Sequence, residues 1–298
     1  MSKVLITGVD GFTGRYLTTA LARQGHEVIG ISHGAIAMPI EGLASSHICD
    51  LTDAQGLTDI LLAVQPQKVA HLAAIAFVSH GVVEDIYQTN VVGSRNLLEA
   101  VGAAGSADAV LLASSANIYG NRVSGAIDET VAPDPINDYA VSKLAMEFVA
   151  RLYQDRLPII IARPFNYTGA GQAINFVIPK IIDHVRRRAT TIELGNLDVA
   201  RDFSDVRDVV LAYAALLDDP AAVGQVFNIC SGQAQTLRDV IAMIQELSGH
   251  DFDVTVNPAF VRANEVKTLW GDRSKIESLT GQQPTHDLRD TLGWMLER

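Results

Sequence analysis

The 298-residue chain has very little cysteine, two residues in all, and just two tryptophans. Cys49 and Cys230 stand far apart in apolar, strand-like segments without ligand-type spacing. They read as two buried thiols of a reducing compartment, not as a disulfide. The eight histidines show no paired spacing, so no metal is expected. Positive charge is also scarce: 23 lysines and arginines face 34 aspartates and glutamates, a net charge of −11. A nucleic acid or an anionic membrane would need a basic face, so neither is expected as a partner. A small polyanion stays open if a few arginines gather in its pocket. Long hydrophobic runs are missing too. Met1-Ser2-Lys3 leads into an apolar stretch too short for a signal peptide, and nothing later approaches a spanning length; a soluble, cytoplasmic protein is expected.

Apolar residues nonetheless make up 48% of the chain and charged residues 19%, a balance that excludes disorder. The length suits one large or two unequal domains. Lys3 to Thr7 is a β-rich apolar run ending at Gly8, as a buried parallel strand would. Gly8, Gly11 and Gly14 then lead into a helical pattern from Arg15 to Ala22. A strand, a Gly-x-x-Gly-x-x-Gly turn and a helix make a dinucleotide cradle: the glycines permit the tight turn, the approach of a pyrophosphate and close helix-sheet packing. A second strand, Glu27 to Ser32, ends without the carboxylate that would bind an adenosine 2'-hydroxyl. Ser32, His33 and Arg15 could instead donate to a 2'-phosphate, so NADP(H) is favoured and NAD(H) stays possible.

Asp50-Leu51 closes a third strand and can flank the adenine, although Asp50 also reads as a turn aspartate. Asp53 is expected to cap a helix running to Val64. A fourth strand spans Val69 to Ala74, where Leu72, Ala73 and Ala74 let cofactor sugars pass. Asn90, in a long helix from Val82 to Ala104, reads as a structural bridge. A fifth strand, Ala109 to Ala113, delivers Ser114 and Ser115 at its carboxyl end, where ligands sit in open parallel sheets. The repeats predict a Rossmann-type, doubly wound α/β fold. Residues 1–163 form the dinucleotide-binding domain, with a strand returning near 226–229, and 164–298 a smaller, discontinuous substrate-binding region. A sixth strand covers Ile159 to Ala162, and Arg163 to Gly171 reads as a loop.

Tyr139-Ala140-Val141-Ser142-Lys143 is the stretch around which the rest is organised. Residues four apart share a helix face, so the phenol and the ammonium point into one space. Moving a tyrosine from ~10 to neutrality takes about 4 kcal/mol, which a lysine and a charged nicotinamide could supply. The phenol is therefore expected to be unusually acidic.

With these motifs in order, the chain resembles the extended short-chain dehydrogenase/reductases. The resembling residues are Gly8-x-x-Gly11-Phe12-x-Gly14, Asp50-Leu51, His71-Leu72-Ala73-Ala74, Asn90-Val91-x-Gly93, Ser114-Ser115 with Tyr119-Gly120, Tyr139-x-x-x-Lys143 and Arg163-Pro164-x-Asn166. The resemblance implies a catalytic set of Ser115, Tyr139 and Lys143 acting at C4 of a nucleotide-diphosphate sugar. Phe12 and Pro164 would join the cofactor contacts. The C-terminal half is similar to the GDP-6-deoxy-4-keto-D-mannose reductase branch, which implies substrate contacts from Asn117, Asn166, Phe176, Val177, Lys180, Arg201, Arg262 and Glu265. Dehydratases of the family place a glutamate where this chain has Asn117, and an amide cannot do that acid-base work. Epimerase/reductases that use a cysteine near the serine do not fit either, since none lies between residues 49 and 230. The implied reaction is NADPH-dependent reduction of a 4-keto group. A UDP-hexose 4-epimerase-like enzyme holding NAD stays open, as does a non-catalytic redox sensor, which would have no need of the three residues. The family's four-helix interface around residues 82–104 and 138–154 implies a homodimer.

Overall fold

The computed structural model describes residues 1–76, 82–120, 125–260 and 267–298. The strands are β1 (Lys3–Thr7), β2 (Glu27–Ser32), β3 (Leu43–Ile48), β4 (Lys68–His71), β5 (Ala109–Ala113), β6 (Ile159–Pro164), β7 (Asn166–Thr168), β8 (Thr191–Leu194), β9 (Ala200–Asp205), β10 (Val226–Ile229), β11 (Ala234–Thr236), β12 (Asp253–Val256) and β13 (Thr268–Leu269). Seven of them form one sheet in the order β10-β6-β5-β4-β1-β2-β3, parallel throughout. The order reverses between β1 and β4, so the crevice for a ligand opens at their carboxyl ends, beside Gly8 and Leu72.

The helices are α1 (Phe12–Arg23), α2 (Ala54–Val64), α3 (Val83–Tyr87), α4 (Ser94–Ala104), α5 (Asp138–Arg151), α6 (Val177–Arg186), α7 (Val206–Asp218), α8 (Leu237–Ser248), α9 (Ser274–Thr280) and α10 (Leu288–Glu297). Leu17, Leu21, Val209 and Tyr213 of α1 and α7 bury one face of the sheet. Leu57, Leu61, Leu97, Val101 and Met146 of α2, α4 and α5 bury the other. This two-sided cover explains why the strands read as apolar runs instead of alternating. A separate core joins α6, α8 and α10 to β8 and β12 through Ile181, Ile192, Ile244 and Leu292. Among the described residues no helix is long and apolar enough to cross a membrane.

Three expected elements differ. The fourth strand stops at His71, because the amides of Leu72 and Ala73 turn to the carbonyl and hydroxyl of Thr7. The segment after Arg163 is not all loop: Asn166–Thr168 pairs in parallel with β9, Asn166 opposite Phe203. The long helix is interrupted by a π-helical turn, Gln88–Gly93, of the kind that often marks functional sites. Gly93 lies so close to Leu51 that a Cβ there would meet the leucine at 2.6 Å.

Candidate active site

The cradle is built from what its glycines leave out. Gly8 has φ +69° and a Cβ there would stand 2.9 Å from the backbone of Ala73. A Cβ on Gly14 would lie 2.2 Å from the Gly8 carbonyl, so α1 could not settle on the turn with any larger residue. Gly11 caps α1 without a side-chain hydrogen bond, and no acidic residue occupies the first turn. Uncapped N–H groups at a positive helix end fit the pyrophosphate of a dinucleotide. The Phe12 ring is used for packing, stacked on Tyr167 at 6.1 Å and edge-on to Tyr16 at 5.5 Å, so only its main chain serves the cradle.

Around β2 the expected donors separate. Ser32 is buried and its hydroxyl donates to the Gly34 carbonyl at 2.7 Å, so it has no proton for a 2'-phosphate. Exposed His33 lies 3.1 Å from Asp50, and half-buried Arg15 reaches the carbonyls of Asp10, Met38 and Pro39. Asp50 is a turn aspartate that accepts from the Thr52 amide and hydroxyl, bonds that lower its carboxyl below the usual range. Leu51 is buried in the core. Asp53 caps α2, accepting from the Gly56 amide.

At the end of β5 the two serines divide their work. Ser114 is buried and donates to Glu147 at 2.5 Å, which commits its hydroxyl proton to that carboxylate. Ser115 starts the 3-10 turn Ala116–Tyr119 and accepts from the Asn117 amide at 3.2 Å, and its side chain is near enough to the phenol of Tyr139 to favour the phenolate. Asn137 begins α5 by accepting from the Ala140 amide at 2.9 Å, so Tyr139 and Lys143 stand in its first two turns. Tyr139 is 8% exposed and Lys143 3%. Lys143 Nζ donates to the Ala113 carbonyl at 2.8 Å. In the free chain burial pushes the phenol up to about 12, with the neighbouring Ser115 side chain opposing it. The acidic phenol expected from the Tyr-x-x-x-Lys spacing is thus not present before a ligand binds; desolvation outweighs the stabilisation available. Burial brings Lys143 down to about 8, opposed by Glu147.

A hydrogen-bonded chain supports this set. The Asn90 side chain accepts from the Ile75 amide and donates to the Ile75 carbonyl and to Ser142, which donates to the Tyr139 carbonyl. Asn90 is therefore a structural bridge, as expected. His71, buried and brought down to about 3 by burial, links Thr7 to Ser94 at 2.7 and 2.8 Å. Glu147, Arg163 and Tyr119, whose joint role the motifs did not reveal, form a second network. Arg163 holds both oxygens of Glu147, at 3.0 and 2.7 Å, and donates to the Tyr119 hydroxyl at 2.9 Å. The available signal was a carboxylate four residues after Lys143 on the same helix face.

The residues expected to meet a substrate are held more loosely. Pro164 ends β6 opposite Ile229. Asn166 and Arg201 lie on the paired strands β7 and β9, and Arg201 donates to the carbonyls of Ala200 and Lys267. Phe176 and Val177 open α6. Lys180 donates to the Glu193 carbonyl at 2.8 Å and sits over the Phe260 ring at 4.6 Å. Arg262 and Glu265 lie outside the described residues. Both cysteines are buried, and burial raises both thiols.

Comparison with known proteins places the chain among relatives of the same fold. A family model described as GDP-mannose 4,6 dehydratase matches residues 5–295. A GDP-6-deoxy-D-mannose reductase of Pseudomonas aeruginosa is 33% identical over 97% of this chain and 94% of its own. A GDP-6-deoxy-D-talose 4-dehydrogenase of Aggregatibacter actinomycetemcomitans is 32% identical over 94% and 91%. Among solved structures, RMD from Pseudomonas aeruginosa complexed with NADPH superposes with a TM-score of 0.87 at 31% identity, covering 100% of this chain and 98% of that one. The UDP-glucuronic acid 4-epimerase of Bacillus cereus, in complex with UDP-glucuronic acid and NAD, superposes at 0.89 with 28% identity, covering 99% and 98%. The chain therefore belongs to the GDP-mannose 4,6-dehydratase family of extended short-chain dehydrogenase/reductases, NAD(P)-dependent enzymes of nucleotide sugars.

Proposed function

We propose that the chain reduces the C4 keto group of a GDP-linked 6-deoxy-4-keto-hexose with NADPH. The observation that carries the reading is a complete Ser115, Tyr139 and Lys143 set with an amide, Asn117, on the turn behind the serine. Asn117 exchanges no proton, so this turn can serve addition to a ketone but not loss of water. When bound, the reduced nicotinamide supplies the hydride. Ser115 and Tyr139 hold the ketone oxygen, and Tyr139 gives it a proton. A phenol kept protonated by burial arrives in the form a proton donor needs. Lys143 holds the ribose hydroxyls beside the Ala113 carbonyl.

Main-chain groups of Gly8, Gly11, Phe12 and Gly14 take the pyrophosphate. Leu72, Ala73, Ala74 and Pro164 flank the sugars and nicotinamide, Asp50 and Leu51 the adenine, while Arg15 and His33 meet a 2'-phosphate. Asn166, Phe176, Val177, Lys180 and Arg201, with Arg262 and Glu265, take the substrate's diphosphate and base; the guanidinium fork suits phosphate oxygens. In this reading residues 1–163 bind cofactor and 164–298 mainly bind substrate. Val92, Val141, Phe148 and Leu152 leave apolar surface exposed on the π-helical turn and on α5, in support of a homodimer across these helices.

A UDP-hexose 4-epimerase holding NAD is the second reading. It is favoured by the loss of Ser32 as a phosphate donor and by the likeness to an NAD-bound UDP-sugar epimerase. Thermal stability measured with GDP, UDP, dTDP or CDP, each beside NADPH or NADH, separates the two. The reductase reading expects the largest rise with GDP plus NADPH. A selective response to UDP, with NAD carried through purification, would replace it with the epimerase.

A further inference from the structure

Two cations and one carboxylate share the dry wedge beneath Ser115. Among the described residues the hydrogen-bond partner of Lys143 there is a neutral acceptor, the Ala113 carbonyl. Glu147, one helical turn further along α5, is buried to the same degree, and its three hydrogen bonds go to Ser114 and Arg163. Ser114 and Arg163 Nε share its Oε1, and a terminal nitrogen of Arg163 takes Oε2. The other arm of Arg163 reaches the Tyr119 hydroxyl, which donates to Asn228 at 2.7 Å. The carboxylate is thus clamped from the β6 side and makes no ion pair with the lysine. A buried pair like Glu147 and Arg163 adds little stability over apolar residues of the same volume, so a different role is the better account of it. That role is visible one turn back, where a lysine loses its water and would otherwise lose its proton.

We propose that Glu147, clamped by Arg163 and Ser114, is a positioning residue whose charge keeps Lys143 an ammonium while leaving the ammonium's hydrogens free for the site. The proposal rests on the reading of Lys143 as a site residue. Among the described residues the groups that face Lys143 are few. Tyr139 and Glu147 come from α5 itself, and neutral His71 from β4, its proton affinity depressed by burial and by Lys143. Arg163 of β6 lies behind Glu147, and Tyr119 of the 3-10 turn behind Arg163. The groups of α3 and α4 engage α5 away from Lys143: Tyr87 donates to Asp138, and Glu99 accepts from Tyr153 beyond the helix end. Burial and the carboxylate are the two opposed influences on the lysine.

The test is a 13C NMR titration of the lysine ε-carbons in the free protein, with the Lys143 resonance assigned by its loss in Lys143→Arg. Wild-type Lys143 should titrate near pH 8. Glu147→Gln should lower the midpoint by about one pH unit or more, since an opposite charge at this range shifts a pKa by roughly that amount. Glu147→Gln with Arg163→Gln, which leaves no unpaired guanidinium, should lower it by less and serves alone if the single variant does not fold. A wild-type Lys143 already neutral at pH 7, or a folded variant titrating at the wild-type midpoint, overturns the proposal. Neither cofactor nor sugar enters the measurement, so absence of reductase turnover would leave its result standing.

Discussion

The ground beneath Ser115 and the ground around Arg201 are built on opposite plans. On the cofactor side Glu147, Arg163, Tyr119, Asn90, Ser142 and His71 are buried or nearly so, and each holds its neighbour by direct hydrogen bonds. On the side proposed for substrate, Arg201 and Lys180 are half-buried and donate to main-chain carbonyls, and Lys180 also sits over the exposed ring of Phe260. Proton transfer needs atoms fixed to within a fraction of an ångström, which buried networks supply. Recognition of a charged nucleotide can use long side chains that give up one acceptor for another. On the proposed reading, the difference teaches that this fold reserves rigidity for chemistry and leaves recognition adaptable.

Perturbing the rigid side should have the larger effects. Tyr139→Phe removes one oxygen and should lower kcat about 10^3-fold, within the range of general acid catalysis, with the Kd for NADPH unchanged by calorimetry. Retained turnover would move the proton source elsewhere and erase the contrast between the two sides. Next comes Lys143→Met. A lysine brought down to about 8 in the fold releases its proton before the unfolded chain does, at ~10.4. Between those values the unfolded state binds more protons, so stability rises with pH there, and below about 8 the buried charge is a constant cost. Lys143→Met should therefore be more stable than wild type at pH 7 in urea denaturation, with the gap narrowing from pH 8 to 10. A gap independent of pH would mean that the ammonium keeps its water. On the adaptable side, Arg201→Ala should raise KM for the nucleotide sugar by roughly 1.5 to 3 kcal/mol of lost charge-assisted contact, at similar kcat. A fall in kcat with KM constant would place Arg201 in the rigid set.

Much of the architecture was legible residue by residue. The run from Lys3 to Thr7 and the Gly8, Gly11 and Gly14 spacing specify a strand, a turn and a helix whatever surrounds them. Asp53 and the apolar pattern after it gave α2 its start and end. Other features depended on partners remote in the chain. Ser114 and Ser115 are alike as letters, yet one faces Glu147 and the other Tyr139, since adjacent residues at a strand end point to opposite faces. Ser32 read as a free donor until the Gly34 carbonyl was found beside it. Tyr167, packed on Phe12 and bonded to Thr13 at 2.8 Å, joins two segments that nothing local connects.

The sequence by itself determined the parallel doubly wound sheet, the cradle at its switch point and the sharing of one helix face by Tyr139 and Lys143. These follow from short-range rules of periodicity and backbone freedom, which act over a few residues. Only the tertiary structure decided how the protons are held. Solvation depends on everything packed around a group, so spacing alone pointed to an acidic phenol, whereas burial raises it and lowers Lys143, with the Glu147 charge opposing that fall.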